Sequence, residues 1–257
     1  MRGRCKFSRS LMSSDTRAEI PIVQPPARRR RPRLPPRVVM AATRPDFQRL
    51  RKRLSKGRDP GERLYLSRIH RLAAPQWCLV GPFMGAPQTA MLMETVAAWG
   101  GAQFLFFGWC GAIHSRVHTG DILLPTTAFA EEGTSRAYGV TDDRIELPAT
   151  PLHDKLRGVV AGQGLTFHEG AVWSTDAVFQ ETPSKVRAYR RRGALAVEME
   201  ISICFTVARQ RGLDFAAALV VSDELADMRW RPGFSDSRFK EAREAVSRTI
   251  ELLCQTP

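Results

Sequence analysis

The run Phe215-Ala-Ala-Ala-Leu-Val-Val221 is apolar at every position. A strand with one face in water alternates apolar and polar residues, so a run with no polar member must be covered on both faces. That requires helices on either side of its sheet and restricts the chain to an α/β layered architecture. Other short apolar runs agree: Val38–Ala42, Trp77–Gly81, Gln103–Gly108 and Ala171–Ser174 read as further buried strands. Between them lie helical patterns. Met91, Leu92, Val96 and Ala97 share one face, as do Ile201, Cys204, Phe205 and Ala208 of a helix that Gly212 closes. A final helix carries Phe239, Ala242, Val246, Ile250 and Leu253 at steps of three and four. This alternation predicts an α/β fold over residues 37–257: a single domain with a mainly parallel central sheet flanked by helices.

The segment 1–36 is different in kind. It is rich in Arg, Pro and Ser and has few large apolar side chains, too little to offset the entropy of ordering, so it reads as a disordered tail. It also explains the charge. Of the chain's net +13, residues 1–37 carry +9, which leaves the remaining 220 residues at +4. The cluster Arg28–Arg33 offers weak contact with nucleic acid or acidic surfaces, a solvated tail, a targeting segment or an extension from an upstream start. No run reaches the roughly 18 apolar residues of a membrane span. The five cysteines are scattered, odd in number and without Cys-x-x-Cys spacing, which points to neither a disulfide framework nor a zinc site and fits a reducing cytoplasm. The five histidines show no ligand spacing, and no nucleophile-elbow motif supports a Ser/His/Asp hydrolase. No metal or organic cofactor is implied.

In open α/β sheets ligands bind beyond the carboxyl ends of the strands. Here those ends run into Gly81-Pro82-Phe83-Met84-Gly85, Gly108-Trp109-Cys110-Gly111, Ser174-Thr175-Asp176 and Ser222-Asp223-Glu224. Each alone is also what a tight turn or a helix cap uses. Four together make one pocket.

These segments resemble the nucleoside phosphorylase family, the purine nucleoside and uridine phosphorylases and the related nucleosidases. The resemblance rests on Gly108-x-Cys-Gly111-Ala112, Gly120-Asp121-Ile122, Glu131-Glu132-Gly133-Thr134-Ser135, Ser174-Thr175-Asp176, Val197-Glu198-Met199-Glu200 and Val221-Ser222-Asp223-Glu224-Leu225, in the family's order across residues 37–254. It implies cleavage of the N-glycosidic bond of a nucleoside, in a homo-oligomer, with phosphate as possible co-substrate. Glu200 would accept hydrogen bonds from ribose hydroxyls, with Met199 and Met84 packed on the sugar. A carboxylate there also answers the positive charge that develops on the ribose. The competing reading is that Glu198 and Glu200 merely open a helix, where carboxylates are favoured. Asp223 would protonate the departing base, and Asp176, Val178, Phe179 and Ser222 would surround it. Pyrimidine-specific relatives read the uracil edge with a Gln and an Arg; Thr182 and Ser184 stand there instead, which favours a purine.

The phosphate site departs from the family pattern. Its positions fall on Thr43, Phe47, Phe106 and Trp109, of which only Thr43 is an ordinary anion ligand, and Phe83 replaces a glycine in the turn before the second helix. Arg63 matches an arginine donated by a neighbouring subunit. A degenerate site of this kind leaves three readings: phosphorolysis with weak phosphate binding, hydrolysis by water with Asp46 as the nearest carboxylate, or a nucleoside-binding protein without catalysis.

Overall fold

The structure is a computed structural model of the chain, and it describes residues 21–28, 33–55, 60–147 and 150–256. In chain order the elements are β1 (Arg37–Ala41), α1 (Arg44–Leu54), β2 (Glu62–Leu64), β3 (Ser67–Arg71), β4 (Trp77–Gly81), α2 (Ala86–Ala98), β5 (Gln103–Ala112) and β6 (Ile122–Ala130). There follow α3 (Gly133–Ala137), β7 (Arg144–Glu146), α4 (Pro151–Gly162), β8 (Phe167–Ser174), α5 (Pro183–Arg191) and β9 (Ala194–Glu198). Last come α6 (Ile201–Arg211), β10 (Asp214–Glu224), β11 (Arg231–Pro232) and α7 (Ser237–Gln255), and a 3-10 turn at Val178–Gln180 precedes α5.

The all-apolar run lies in β10, which pairs in parallel with β5 from Asp214 opposite Gln103 to Glu224 opposite Ala112. Its side chains alternate between two cores. Phe215, Ala217, Leu219 and Val221 join the cluster built on α2 and α6, whereas Ala216, Ala218 and Val220 join the one built on α1, α4 and α7. Helices on both faces are thus the reason the run tolerates no polar residue.

The sheet is mixed, with its longest ladders parallel as expected. β5 pairs in parallel with β1, and β1 with β4, but β3 and β2 continue that wing as an antiparallel hairpin. On the other side β10 meets β6 antiparallel, β6–β8 and β8–β9 run parallel, and β9 returns to the far end of β5 antiparallel. Five strands, β5, β10, β6, β8 and β9, therefore close a ring. Apolar runs do not announce β6 or β9: Pro125 interrupts β6 where its register with β8 shifts, and β9 is Ala-Leu-Ala-Val-Glu, whose alanines favour a helix over a strand.

Helix starts follow local chemistry. Thr43, Thr150, Thr182 and Asp236 each accept a backbone N–H at the head of α1, α4, α5 and α7, and a proline follows each threonine inside the first turn. The described cysteines, Cys78, Cys110, Cys204 and Cys254, are free and buried; Cys5 lies outside the described residues.

Part of the basic segment packs on the fold. Leu34 is buried, and its N–H donates to the Trp99 carbonyl at 2.9 Å. Arg28 pairs with Glu62 at 2.8 Å and lies over the Trp99 ring, whose indole N–H donates to the Pro26 carbonyl. Residues 1–20 and 29–32, including most of the arginine cluster, lie outside the described residues. A chain beginning at residue 37 is expected to melt roughly 5 °C or more below one beginning at residue 21, the size expected for losing one buried leucine and its neighbours. Equal melting temperatures in a thermal scan would refute that.

Candidate active site

Closure of the five-strand ring sets the ends of four strands side by side: Gly111 of β5 faces both Val197 of β9 and Asp223 of β10, and Ser174 at the end of β8 faces Glu198. The segment Val197-Glu198-Met199-Glu200 ends β9 and opens α6, whose first-turn N–H groups have no capping side chain at the usual position. Glu198 supplies the missing partner. One of its oxygens accepts the N–H groups of Glu200 at 2.6 Å and Ile201 at 2.7 Å, and the other accepts the Ser174 hydroxyl across the β8–β9 ladder. Glu198 is therefore the helix-opening carboxylate. Glu200 is released from that duty.

Glu200 is buried and accepts the N–H of Gly85 at 2.6 Å. Gly85 has φ +79°, and this left-handed backbone, open to glycine, joins the β4 loop to α2. Burial raises both glutamate carboxyls above their usual range, and the charge of Glu200 raises Glu198 further. Met199 between them is half-buried. Met84 is 72% exposed and lies on the rim.

Asp223 lies near the end of β10, just past a register shift against β5 between Val221 and Asp223. This irregularity re-aims the strand's last side chains. Ser222 Oγ donates to Asp223 Oδ1 at 2.6 Å and Trp230 Nε1 to Oδ2 at 3.0 Å. Gly111 is the facing residue on β5; a Cβ there would lie 3.0 Å from Asp223 Oδ2 and 2.8 Å from Leu225, so only glycine leaves the carboxylate its place. Burial raises the Asp223 carboxyl above the usual aspartate range, against the lowering effect of its two hydrogen bonds. Ser222 is buried and also reaches the Cys110 carbonyl at 3.2 Å.

The other base-side candidates are less enclosed. Asp176 is exposed and accepts the N–H of Gly133 at 3.0 Å, which ties two of the recognised segments together. Val178 is 47% and Phe179 96% exposed on the 3-10 turn, so within one chain Phe179 encloses nothing. The neighbour that sequence reasoning missed is Glu181, whose carboxyl burial pushes up to about 7, with the charges of Asp223 and Glu131 adding to the shift.

The phosphate positions do not come together as aligned. Phe106 is fully buried in the α2/α6 core, edge-on to Phe83, while Trp109 faces the opposite side of β5 against Phe239 of α7. Phe47 packs in the core beside the His70 ring. Arg63 is exposed on β2, with β3, β4 and β1 between it and β5, and so does not reach this chain's own site. Thr43 and Trp109 do meet, on Asp46: Thr43 Oγ1 and Trp109 Nε1 donate to Asp46 Oδ2 at 2.9 and 2.6 Å. Asp46 is only 1% exposed and pairs with Arg243 of α7, so it is a buried counter-ion rather than a free carboxylate beside a water. Among the described residues, no three His, Cys, Asp or Glu side chains gather as a metal site.

The family described as the Phosphorylase superfamily matches residues 36–256. The chain belongs to that superfamily. A guanosine phosphorylase from Halorubrum lacusprofundi is 32% identical over 173 residues, 66% of this chain and 70% of the relative. A uridine phosphorylase from Vibrio fischeri superposes with a TM-score of 0.73 at 19% identity, over 87% of this chain and 93% of that one. A 5′-methylthioadenosine/S-adenosylhomocysteine nucleosidase from Helicobacter pylori does so with a TM-score of 0.67 at 15% identity, over 86% and 97%. At those identities the two structures establish the fold, and the nucleoside phosphorylase resemblance of the sequence stands.

Within this superfamily member the two adjacent glutamates have separable duties. Replacing Glu198 with Ala strands two backbone donors and a buried hydroxyl and is expected to cost about 3 kcal/mol or more of stability. Glu200→Gln, which still accepts the Gly85 N–H, is expected to change stability by less than about 1 kcal/mol. Denaturant unfolding of the two variants checks this, and equal losses would defeat the division.

Proposed function

We propose that this chain is a nucleoside-cleaving enzyme that breaks the N-glycosidic bond of a purine nucleoside. Asp223 is the acid: it protonates the base as the bond to the sugar breaks. Glu200 holds the ribose hydroxyls, Met199 and Met84 pack on the sugar, and Asp176, Val178, Phe179 and Ser222 form the base side. The observation that carries the reading is the Asp223 carboxyl, raised by burial, seated against Gly111 and held by Ser222 and Trp230. A buried acid whose pKa is raised keeps its proton to higher pH than an ordinary aspartate, and a proton donor is what a departing purine needs, because a base anion leaves slowly. Glu200 supports the same step, since its negative charge faces a sugar that becomes positive as the bond stretches. The guanosine phosphorylase named above supports a purine rather than a pyrimidine.

The assembly is proposed to be a homo-oligomer whose sites are completed across an interface. Arg63 on the outer strand, with Leu66 at the hairpin tip 87% exposed, supports this. Sedimentation showing a fully active monomer would exclude it. A soluble, cytoplasmic location is proposed on the same footing; among the described residues no helix is long and apolar enough to cross a membrane.

A second reading, water in place of phosphate as the nucleophile, is favoured by one observation. Thr43 and Trp109, the two aligned anion positions that converge, are already engaged by Asp46. A nucleoside panel assayed for free base, with and without phosphate, tests the whole proposal. Release from purine nucleosides is expected; no release from any nucleoside would leave a binding protein without catalysis. Because the proton on Asp223 is the active form, kcat/KM is expected to fall as pH rises through its raised pKa. Asp223→Asn is expected to remove that limb and lower turnover roughly 10²-fold or more, sparing substrates whose base leaves without protonation. An unchanged pH profile would assign Asp223 a structural role.

A further inference from the structure

The best-formed anion site in the described chain already contains an anion, and it is the protein's own. Arg243 Nε and Nη2 approach Asp46 Oδ1 at 2.9 and 2.8 Å, and Arg49 adds a nitrogen at 3.4 Å. Thr43 and Trp109 complete the set on Oδ2. The guanidinium of Arg243 lies 4.8 Å over the Trp109 ring and 5.2 Å over Phe239, and this stacking fixes the plane of its fork. Asp46 is 1% and Arg243 8% exposed, so each needs the other to be buried as an ion.

The location gives the cluster its meaning. Thr43 lies two residues past the end of β1 and Trp109 is near the end of β5, at the carboxyl edge of the parallel strands β4, β1, β5 and β10 where Asp223 also lies. An unbroken line of aromatic contacts joins the two sites: Trp230, hydrogen-bonded to Asp223, touches Phe234, and Phe234 touches Trp109. A hydroxyl, an indole N–H and an arginine fork converging on one point are the donors that bind a phosphate oxyanion. Here one carboxylate takes all of them.

We propose that Asp46 is a co-substrate-determining residue. Its carboxylate occupies the phosphate position, shuts inorganic phosphate out, and leaves water as the group that attacks the sugar. This rests on the glycosidic-cleavage reading for its consequence in turnover, but not for anion binding itself. The reaction balances without a further reactant. Water oxygen forms a bond to the anomeric carbon, and the C–N bond breaks with its electron pair passing to the base. The base takes the Asp223 proton, and the proton lost by water restores Asp223 through solvent. The products are free sugar and free base. With Asp46 removed, Arg243, Arg49, Thr43 and Trp109 are left facing a site of their own making, and phosphate is the anion that fits it.

The test is titration of the purified full chain with inorganic phosphate, followed by calorimetry. The parent chain is expected to give no saturable binding. Asp46→Ala is expected to bind phosphate saturably, at least about 10²-fold more tightly than the parent, the value of two charge-assisted hydrogen bonds. Asp46→Asn fills the same volume and is expected to stay blank. With a cleaved purine nucleoside, the parent should yield free ribose at a rate independent of phosphate, and Asp46→Ala should begin to yield ribose 1-phosphate. Tight saturable phosphate binding by the parent overturns the proposal, as does a folded Asp46→Ala that binds none. Should Asp46→Ala be poorly folded, its melting temperature is expected to rise with phosphate while the parent's does not; a rise in the parent alone overturns the proposal. If no nucleoside is cleaved, the catalytic reading fails while the calorimetric result still decides the occupancy of the anion site.

Discussion

The pairing of β10 with β5 is the constraint on which the rest of the molecule hangs. Both strands are buried on both faces, so their ladder is fixed by two hydrophobic cores at once, and a one-residue slip would exchange the residues facing each core. Because the register is pinned, the residues just beyond it are placed without freedom of their own. Asp223 falls opposite Gly111, and Trp109 falls on the side facing α7. The same ladder closes the ring, since β9 leans on the far end of β5 and β6 on the middle of β10. That closure carries Glu198 and Glu200 to the acid's side of the sheet.

Burying this many charges demands a partner for each, and the chain meets the demand in two ways. Around Glu198 the partners are neutral: two backbone N–H groups at a helix start and a serine hydroxyl. Around Asp46 they are cationic, with Arg243 as the main one. The first arrangement leaves the neighbouring Glu200 held by backbone N–H groups, chiefly that of Gly85, and hence with capacity for a ligand. The second engages both oxygens of Asp46 and the Nε–Nη2 edge of Arg243. The two ends of the site therefore differ in availability, although both are built from a carboxylate at the head of a helix.

Much of this was legible in the sequence, and the failures have physical causes. Uniform apolar runs announce β1, β4, β5, β8 and β10 because a doubly covered strand leaves no other mark. β6 and β9 hide because one contains a proline and the other is rich in alanine, a weak strand former. The antiparallel closures are tertiary and leave no local signal. That Glu200 and Asp223 stand at strand ends is readable from their flanking segments, and Glu198 beside Glu200 leaves two duties that only geometry separates. Asp46 reads as a solvated helix start and Arg243 as one more charge on an amphipathic helix. They lie 197 residues apart, and nothing local predicts that they meet. Phe106 and Trp109 differ in parity along one strand, which is why their side chains leave opposite faces of β5. Leu34 and Arg28 were lost in a segment whose composition speaks for disorder as a whole while a few of its residues find partners in Trp99 and Glu62.

The decisive comparison at the anion site is between a tethered carboxylate and a dissolved phosphate. Asp46 is held one turn into α1, with Thr43 capping the same helix, so its carboxylate is positioned before any ligand arrives. Phosphate must pay its full loss of translational freedom to compete, whereas the tethered group competes at an effective concentration far above any millimolar solute. To enter, phosphate must also break the pair with Arg243, and separating a buried ion pair costs about 3–5 kcal/mol, or roughly 10²–10⁴ in affinity. The larger charge of phosphate works against that deficit but has only Arg49, itself turned partly toward Glu244, as an added cation. An anion site can therefore keep its donors and still be closed to its ligand. What closes it is one acidic residue three positions after the strand's threonine, and the aromatic ring at Trp109 serves that residue as a donor rather than acting as a plug.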